Sequence, residues 1–410
     1  MLLRDSMTPQ VPTTNRTTSK IINLKDDPND HRKSKKKLSK ELTLRILFEP
    51  LFAAYRTFTD EFSRMEEVLR IVILASVQRS SIDDICSYLD DAMNARTARY
   101  YLSWLNLEKI EKGMNELLRR DILPLIKDKW VRLAVDFTNI PYYGKEMKDE
   151  SEIRKSKAKD GTSKFHAYLT IYAVVRNHRY TIALKYIRRK EELSSVLKDT
   201  MDDVLRLGLD IREILADKEF YSTKVINYLK SIDIPFIIAV LERGKPIKAL
   251  KDRRQGARCL PWTVKNNQGE EATFCLQCYQ TYMKGSKVLG GGATWFFYAT
   301  FKVPMNPKRI SEEYRRRFGI ESSYRMMNTC RARTSSRNPA LRLFFVLTSF
   351  LVVNLKVRVE WLFRTDGRDK RTESTARMRL KRLCRYIRKI FEALIEWRMR
   401  RRNQPVMAGG

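Results

Sequence analysis

The residues best suited to chemistry lie on a predicted helix, Pro307–Arg333, which has no proline after its first residue and one glycine. Residues three, four and seven apart share one helix face. Five residues at that spacing form a stripe: Tyr314, Arg317, Glu321, Arg325 and Asn328. Glu321 is the sole carboxylate of the stripe, and a lone acid among arginines suits a site where a metal ion and a polyanion meet. The alternative is a solvated basic helix in which Glu321 pairs with Arg317 or Arg325.

Two further carboxylates stand at predicted strands. The strand Trp130–Phe137 carries Asp136 near its end, and the strand Ile211–Ala216 is followed directly by Asp217. A carboxylate inside an apolar strand is costly unless a metal ion or a hydrogen-bond donor receives it. Carboxylate oxygens are hard ligands of the kind that Mg²⁺ prefers. If the fold brings Asp136, Asp217 and Glu321 together, they predict a divalent metal site.

The order of predicted elements around these acids is three strands, a helix, a strand, a helix and a strand. The strands are 130–137, 165–175, 180–187, 211–216 and 234–241, and the helices are 191–207 and 221–231. This order is expected of a ribonuclease H-like α/β fold, a mixed sheet with helices on both faces. The first and fourth strands are neighbours in that fold, so Asp136 and Asp217 would meet. The charged segment 146–163 is predicted to be a flexible loop, and a β-rich insertion at 242–303 precedes the helix of Glu321.

The sequence predicts four parts. They are a disordered basic arm (1–38), a helical DNA-binding domain (39–128), the catalytic domain (129–363) and a basic C-terminal helix and tail (364–410). Within the second part, Ser81 is a predicted cap of a short helix to Leu89, and a second helix runs from Arg96 to Trp104. That outline fits a helix-turn-helix, with Arg96 and Arg99 placed to contact DNA, and an ordinary helical hairpin is the alternative.

The charge of the chain indicates its partner. It has 410 residues, and 81 lysines and arginines against 48 acids leave a net charge of +33, spread along the whole length. Such a field attracts polyanions, and nucleic acid is the expected partner because phosphate neutralisation releases counterions. Ribosomal proteins share this charge but are rarely so long or so rich in core residues.

Six scattered cysteines suit a reducing compartment, and the spacing Cys275-Leu-Gln-Cys278 lacks a second pair for zinc.

Membrane insertion is not expected. The sequence shows no signal peptide, and its most apolar run, Leu343–Leu355, is too short to span a bilayer. The helix Ala340–Phe363 is predicted to be core instead.

The acids stand in extended motifs that resemble one enzyme family. Tyr314, Arg317 and Glu321 match the Tyr-x2-Arg-x3-Glu-x6-Lys signature of a branch of the DDE transposases of prokaryotic insertion sequences. The chain resembles the archaeal, halobacterial-type members of that family around both aspartates. The resemblance lies in the context Asp136-Phe-Thr-Asn-Ile-Pro-Tyr-Tyr-Gly144 and in the residues around Asp217. The resemblance covers roughly residues 75–360. Asn328 departs from it, since the family has lysine there for transposon-end DNA, and Arg325 or Arg331 would replace that contact.

The resemblance implies a mechanism and partners. Asp136, Asp217 and Glu321 would hold two Mg²⁺ ions, for which Mn²⁺ can substitute, and the ions would clamp the attacking and leaving oxygens of a phosphodiester. Arg317 would hold a phosphate, and Tyr314 would pack against DNA or position Glu321. The partners would be double-stranded DNA, both terminal repeats and target, and a second subunit when assembled on DNA. The protein would be cytoplasmic and associated with the nucleoid of a prokaryote, which is expected to be an archaeon.

Two other functions remain open from the sequence. One is a structure-specific nuclease on the same fold, which would need neither the N-terminal helices nor the β-rich insertion. The other is a non-catalytic DNA-binding relative, which the loss of an acid would suggest, although all three acids are present.

The recognition hypothesis makes a testable prediction. Replacing Arg96 and Arg99 together by alanine should weaken binding to the element's own terminal repeat more than binding to random duplex, because base contacts carry sequence specificity. Footprinting on both DNAs measures this difference. Equal losses on the two DNAs would show that the segment is a structural helix.

Overall fold

The computed structural model describes residues 65–89, 92–120, 122–145, 152–175, 178–242, 245–251, 256–282, 293–362 and 379–402. The predicted basic arm, residues 1–38, lies outside these ranges. The described residues all belong to one compact unit. Within its described part, a nine-stranded mixed sheet is covered by helices on both faces.

The strands are, in chain order, β1 Val131–Pro141, β2 Arg154–Lys159, β3 Thr162–Val175, β4 His178–Ile187, β5 Ile211–Ala216, β6 Phe236–Ala239, β7 Arg258–Lys265, β8 Glu271–Tyr282 and β9 Ala293–Phe301. Their order across the sheet is β2-β3-β1-β5-β6-β9-β8-β7, and β4 also pairs with β3. β1, β5 and β6 are parallel, and every other pairing is antiparallel. The five predicted strands are present, and the predicted neighbours β1 and β5 do pair.

The helices are α1 Met65–Gln78, α2 Ile82–Tyr88, α3 Ala95–Ser103, α4 Leu107–Arg120, α5 Leu123–Ile126, α6 Leu193–Leu205, α7 Thr223–Ser231, α8 Lys245–Ala249, α9 Pro307–Arg315, α10 Gly319–Thr329, α11 Pro339–Leu362 and α12 Leu380–Arg402. The two short helices predicted around a turn are α2 and α3. Ser81 caps α2 as expected: its hydroxyl accepts from the Asp84 amide while the Asp84 carboxylate accepts from the Ser81 amide.

The two faces of the sheet bury separate cores. On one face, α1–α4 and α10–α12 pack around side chains such as Tyr168, Tyr172 and Leu184. On the other face, α6 and α7 cover Leu133, Val135 and their neighbours. A third, smaller cluster holds α9 against β5, β6 and β9 through Ile310 and Tyr314. Strand residues alternate between these cores because successive side chains point to opposite faces.

Two segments differ from their predicted structure. Residues 154–159, expected in a flexible loop, form β2, which pairs with the start of β3, although residues 146–151 are outside the described ranges. The β-rich insertion does form three strands. β9 pairs antiparallel with β6, so these strands extend the central sheet. The insertion is held in this position by backbone hydrogen bonds between β9 and the edge strand β6. Because these bonds do not depend on side-chain type, the sequence pattern does not predict the pairing.

One cysteine pair differs from the expectation of scattered reduced thiols. Cys259 on β7 and Cys275 on β8 form a disulfide. Cys278 is a buried free thiol on the same strand as Cys275, so the two do not act as a metal-binding pair. Within the described ranges, no group of three or more His, Cys, Asp or Glu side chains could hold a metal ion.

Helix α11 is the central helix of its core. Over Pro339–Trp361 it is long and apolar enough to cross a membrane, but 83% of its most apolar window is buried inside the protein. Asn354 fixes it to the sheet, since its amide donates to the Thr181 carbonyl and accepts from the Thr181 N–H. The core assignment made for this helix is confirmed.

A buried charge network joins α9 to the sheet. Arg132 on β1 donates to Glu213 on β5 at 2.5 Å and lies 3.2 Å from Glu313 on α9. Glu213 and Glu313 are 2% and 7% exposed. Arg132 therefore neutralises Glu213, shares Glu313 with Arg316, which also lies 3.2 Å from it, and fixes the helix that leads to the predicted site.

Replacing Arg132 by alanine should lower the free energy of unfolding by about 3–5 kcal/mol, because the buried Glu213 loses its Arg132 counter-charge and the buried Glu313 loses one of its two arginine partners. Urea denaturation measures this. The matched control is Arg206→Ala, which breaks an exposed pair with Asp203 and should cost about 0–1 kcal/mol. A triple variant, Arg132→Met with Glu213→Leu and Glu313→Leu, should recover much of the loss. Equal stability of Arg132→Ala and Arg206→Ala would contradict the assignment.

Candidate active site

Asp136 and Asp217 lie side by side on the sheet. The parallel register pairs Val135 with Ala216, so the two aspartates follow next on β1 and β5. Asp136 alternates with the buried Leu133 and Val135, which places its side chain on the face that α10 covers. It is 8% exposed, in the middle of β1 and not near its end as expected.

A single guanidinium bridges the two carboxylates. Arg317 donates through one terminal nitrogen to Asp136 at 3.0 Å and through the other to Asp217 at 3.3 Å. Its Nε donates to the Tyr314 hydroxyl at 3.1 Å, and that hydroxyl donates to Asp217 at 3.4 Å. Arg317 is 4% exposed and also lies over the Tyr314 ring. The four side chains form one closed polar cluster.

The electrostatics of the cluster follow from burial and from charge. Burial raises the pKa of Asp136 to about 6; Arg317 acts to lower it, and Asp217 raises it further. Burial opposes ionisation of Arg317, yet Tyr314, Asp217 and Asp136 leave its pKa raised overall. Two carboxylates this close need a cation between them. In this structure Arg317 supplies that cation.

Glu321 is not part of the cluster. The predicted single helix is interrupted at Arg316–Phe318 by one turn of 3-10 helix between α9 and α10. A 3-10 turn advances each residue by about 20° more than an α-helix does, so three residues shift the inward face by about 60°. After the interruption, Ile320, Ser323 and Met327 face inward and Glu321 is exposed. The predicted stripe is therefore divided, with Tyr314 and Arg317 buried and Glu321, Arg325 and Asn328 at the surface.

Helix α10 nevertheless lies against the strand next to Asp136. The Tyr324 hydroxyl is 2.5 Å from the hydroxyl of Thr170, which donates to the Asp136 carbonyl at 3.2 Å. Thr170 is the cross-strand partner of Asp136 on β3. Glu321 is about one helical turn before Tyr324 on α10 and is exposed to solvent.

The residues predicted to contact DNA are distributed over three places. Tyr314 is 5% exposed and orients Arg317, a role that differs from both roles expected of it, which were contact with DNA and positioning of Glu321. Arg325 is exposed on α10, while Asn328 and Arg331 line a cavity beside it. Arg96 and Arg99 are on α3, where Arg99 pairs with Asp83 at 2.5 Å across exposed surface.

The bridging role of Arg317 was missed from the sequence. Its spacing did suggest an ion pair with Glu321, as the helical register places the two residues four apart. Nothing local could show that Arg317 instead reaches two strands that are distant in sequence.

The cluster fits a cation but does not form a complete metal site. Two carboxylates converge on one positive group, which matches the hard oxygen donors of Mg²⁺. Asp136 and Asp217 would hold the ion, and Glu321 is the third ligand that the sequence predicts. Arg317 occupies the space between the aspartates, so it would have to leave before an ion could bind there.

Comparisons with known proteins agree with this fold. Residues 130–355, more than half of the chain, match the family model described as Transposase DDE domain. A solved structure described as a piggyBac transposase synaptic complex with hairpin DNA is similar, with a TM-score of 0.53 and 12% identity over 92% of this chain and 84% of that one. At that identity the likeness concerns the fold.

Other comparisons add little. A Drosophila P element transposase strand transfer complex gives a TM-score of 0.20 and 9% identity over 85% of this chain and 70% of that one, which is too low to support an argument. No curated protein matches the chain.

Removing the guanidinium of Arg317 should make the carboxylates of Asp136 and Asp217 accessible to metal ions. Arg317→Gln, which keeps a donor for Tyr314, should tighten Mn²⁺ binding in the absence of DNA by at least about tenfold, because a competing cation is removed. Calorimetric titration measures the affinity. Arg315→Gln, an exposed change on the same segment, is the control and should leave the affinity unchanged. An unaltered affinity in Arg317→Gln would show that Arg317 does not compete for the carboxylates.

Proposed function

Since the chain belongs to the transposase DDE domain family, we propose that Asp136, Asp217 and Glu321 are its three catalytic carboxylates. The chain is a transposase, an enzyme that cleaves DNA strands and transfers them. The observation that carries the proposal is the convergence of Asp136 and Asp217 on one guanidinium, in a fold where they come from adjacent parallel strands.

The proposed roles follow from the chemistry of the cluster. Asp136 and Asp217 would hold divalent cations, proposed to be two Mg²⁺ with Mn²⁺ as a substitute, and Glu321 would complete the ligand set. Bound there, such ions lower the pKa of a nucleophile and stabilise a leaving oxygen. Tyr314 and the sheet keep the two aspartates oriented, and burial keeps bulk water away from Asp136.

Arg317 is proposed to change partners during the reaction. Its guanidinium is planar and suits either a carboxylate or a phosphate. When cations neutralise the aspartates, Arg317 would turn to a phosphate of the DNA, and Tyr314 would limit how far it moves. Glu321 follows the 3-10 segment on α10, so a change in that segment would move Arg317 outward and Glu321 inward together.

The DNA partner is proposed to be the terminal inverted repeats of the chain's own insertion sequence, followed by target DNA. The net charge of +33 supports a large phosphate footprint. The proposed DNA contacts are Arg96, Arg99, Arg325, Asn328 and Arg331.

The similar piggyBac structure is described as a synaptic complex, and by analogy we propose a homodimer on DNA. The branch with the Tyr-Arg-Glu-Lys signature and an archaeal host remain part of this proposal, as does action at the nucleoid.

The central prediction concerns the three acids. Asp136→Asn, Asp217→Asn and Glu321→Gln should each lower Mg²⁺- or Mn²⁺-dependent strand cleavage by about 10³-fold or more, because each removes a metal ligand. Folding and DNA binding should persist, since binding depends on lysines and arginines elsewhere. Combining two substitutions should cost little more than one, because residues that act as a unit are not additive. Cleavage of a labelled terminal-repeat duplex measures the rate.

Glu312→Gln is the matched control for Glu321→Gln, because Glu312 is an exposed glutamate on the preceding helix α9. It should cleave at the rate of the parent protein. Near-normal cleavage by Glu321→Gln would remove Glu321 from the site. Near-normal cleavage by either aspartate variant would remove that aspartate, and with it the proposed metal site.

A further inference from the structure

A basic cavity lies beyond the end of β1, apart from the carboxylate cluster. Its volume is about 420 Å³, within the range of small-molecule sites. Six of its lining residues define its chemistry: Arg79, Arg331, Arg333, Arg342, Tyr142 and Tyr143. None of the described residues that line it is acidic. The proposed catalytic chemistry makes no use of this cavity.

Three segments of chain are fixed together around the cavity. The Arg333 amide donates to the Ser80 carbonyl at 2.8 Å, and the Ser76 hydroxyl donates to the Cys330 carbonyl, so the segment after α10 is attached to the end of α1. Arg342 donates to the Ser336 carbonyl at 2.6 Å, which holds that segment against α11. The cavity is therefore built in advance of any ligand.

The third wall is the end of β1 and the turn after it. Tyr142 is buried, and the Arg342 guanidinium lies 5.0 Å from the centre of its ring. A side chain at Gly144 would place its Cβ 2.4 Å from the Tyr142 hydroxyl, so glycine is needed for this turn. The Tyr143 hydroxyl donates to the Asp160 carbonyl at 2.8 Å, which anchors a ring that is 70% exposed.

The positive charges of the cavity are crowded. Burial lowers the pKa of Arg331, and Arg342 and Arg79 lower it further. Burial also lowers the pKa of Arg342. Arginines that repel one another, with no acid in the same wall, provide a site for an anion. Arginine recognises phosphate through paired N–H donors.

Phosphate-binding arginines beside an exposed aromatic ring are the combination that binds single-stranded nucleic acid. A cavity of this volume cannot admit a duplex. We propose that it holds one unpaired nucleotide of a DNA strand, with the phosphate on the arginines and the base against Tyr143. This inference rests on the proposed function in taking DNA as the ligand, but it needs no cleavage.

The position of the cavity agrees with a strand that also reaches the carboxylates. Ile140, which lines the cavity, is four residues beyond Asp136 on β1, or about 13 Å at the rise of a strand. That length corresponds to about four nucleotides at the rise of a DNA strand. One DNA end could thus extend from the carboxylates to the cavity.

Anisotropy of labelled DNA on the full-length chain in EDTA tests the proposal. The probes are a blunt duplex and the same duplex with a short single-stranded tail on one strand. The parent protein should bind the tailed duplex about tenfold more tightly, the effect expected for one stacked base. Tyr143→Ala should abolish this preference, and Arg333→Ala should reduce it. Free deoxyadenosine monophosphate and inorganic phosphate should displace the tailed duplex far less well than a single-stranded oligonucleotide does.

Matched controls separate the cavity from general effects. Trp130→Ala removes a ring that is 71% exposed and lies just before the first residue of β1. Arg206→Ala removes an exposed charge just after the last residue of α6. Both variants should keep the preference. Asp136→Asn should also keep it, so loss of cleavage and loss of tail binding are distinguishable. Equal binding of both duplexes by the parent protein would overturn the proposal, as would a preference that survives Tyr143→Ala. Displacement by the free nucleotide at the efficiency of the oligonucleotide would overturn it too.

Discussion

Two carboxylates on adjacent parallel strands, largely shielded from water, can stay together only if a positive charge lies between them. In this structure that charge is Arg317, which donates to Asp136 and Asp217 and is itself oriented by Tyr314. The sheet sets the distance between the aspartates, and α9 sets the position of the guanidinium. The network of Arg132 with Glu213 and Glu313 then fixes α9 on β1 and β5. The segment made of α9 and the 3-10 turn with Arg317 is therefore linked twice by charge to the strands that lead to the acids.

This arrangement explains why the chain between α9 and α10 is a 3-10 turn. A continuous α-helix would place Tyr314, Arg317 and Glu321 on one face, and an arginine and a glutamate would both point at a pair of acids. The 3-10 turn separates them, so Arg317 satisfies the aspartates and Glu321 remains in water. Short 3-10 segments inside helices often mark hinges. A third carboxylate beside Asp136 and Asp217 would be strongly repelled unless a further cation accompanied it.

The sequence was sufficient for the part of the site that depends on strand order. Asp136 and Asp217 could be placed together because element order implies that β1 and β5 are neighbours, and the parallel register bears this out. Glu321 could not be placed, since a rotation of about 60° over three residues leaves no mark on apolar periodicity. The disulfide between Cys259 and Cys275 and the pairing of β9 with β6 also depend on contacts between distant segments. For the same reason the sequence identified Arg331 and Asn328 as candidates but not the cavity that they share with Arg79 and Arg342.

Arg317 and the arginines of the cavity differ in their electrostatic surroundings, and the difference bears on how DNA binds to the protein. Arg317 is already paired with acids, so a phosphate can capture it only if another cation takes its place on Asp136 and Asp217. The carboxylates stay neutralised in such an exchange, because divalent ions carry more positive charge than the guanidinium that they replace. Arg331 and Arg342 face a cavity wall without acids, so a phosphate there relieves repulsion and needs no exchange. DNA would therefore be expected to occupy the cavity before the carboxylate cluster, which would hold a strand near Asp136 before Arg317 is released.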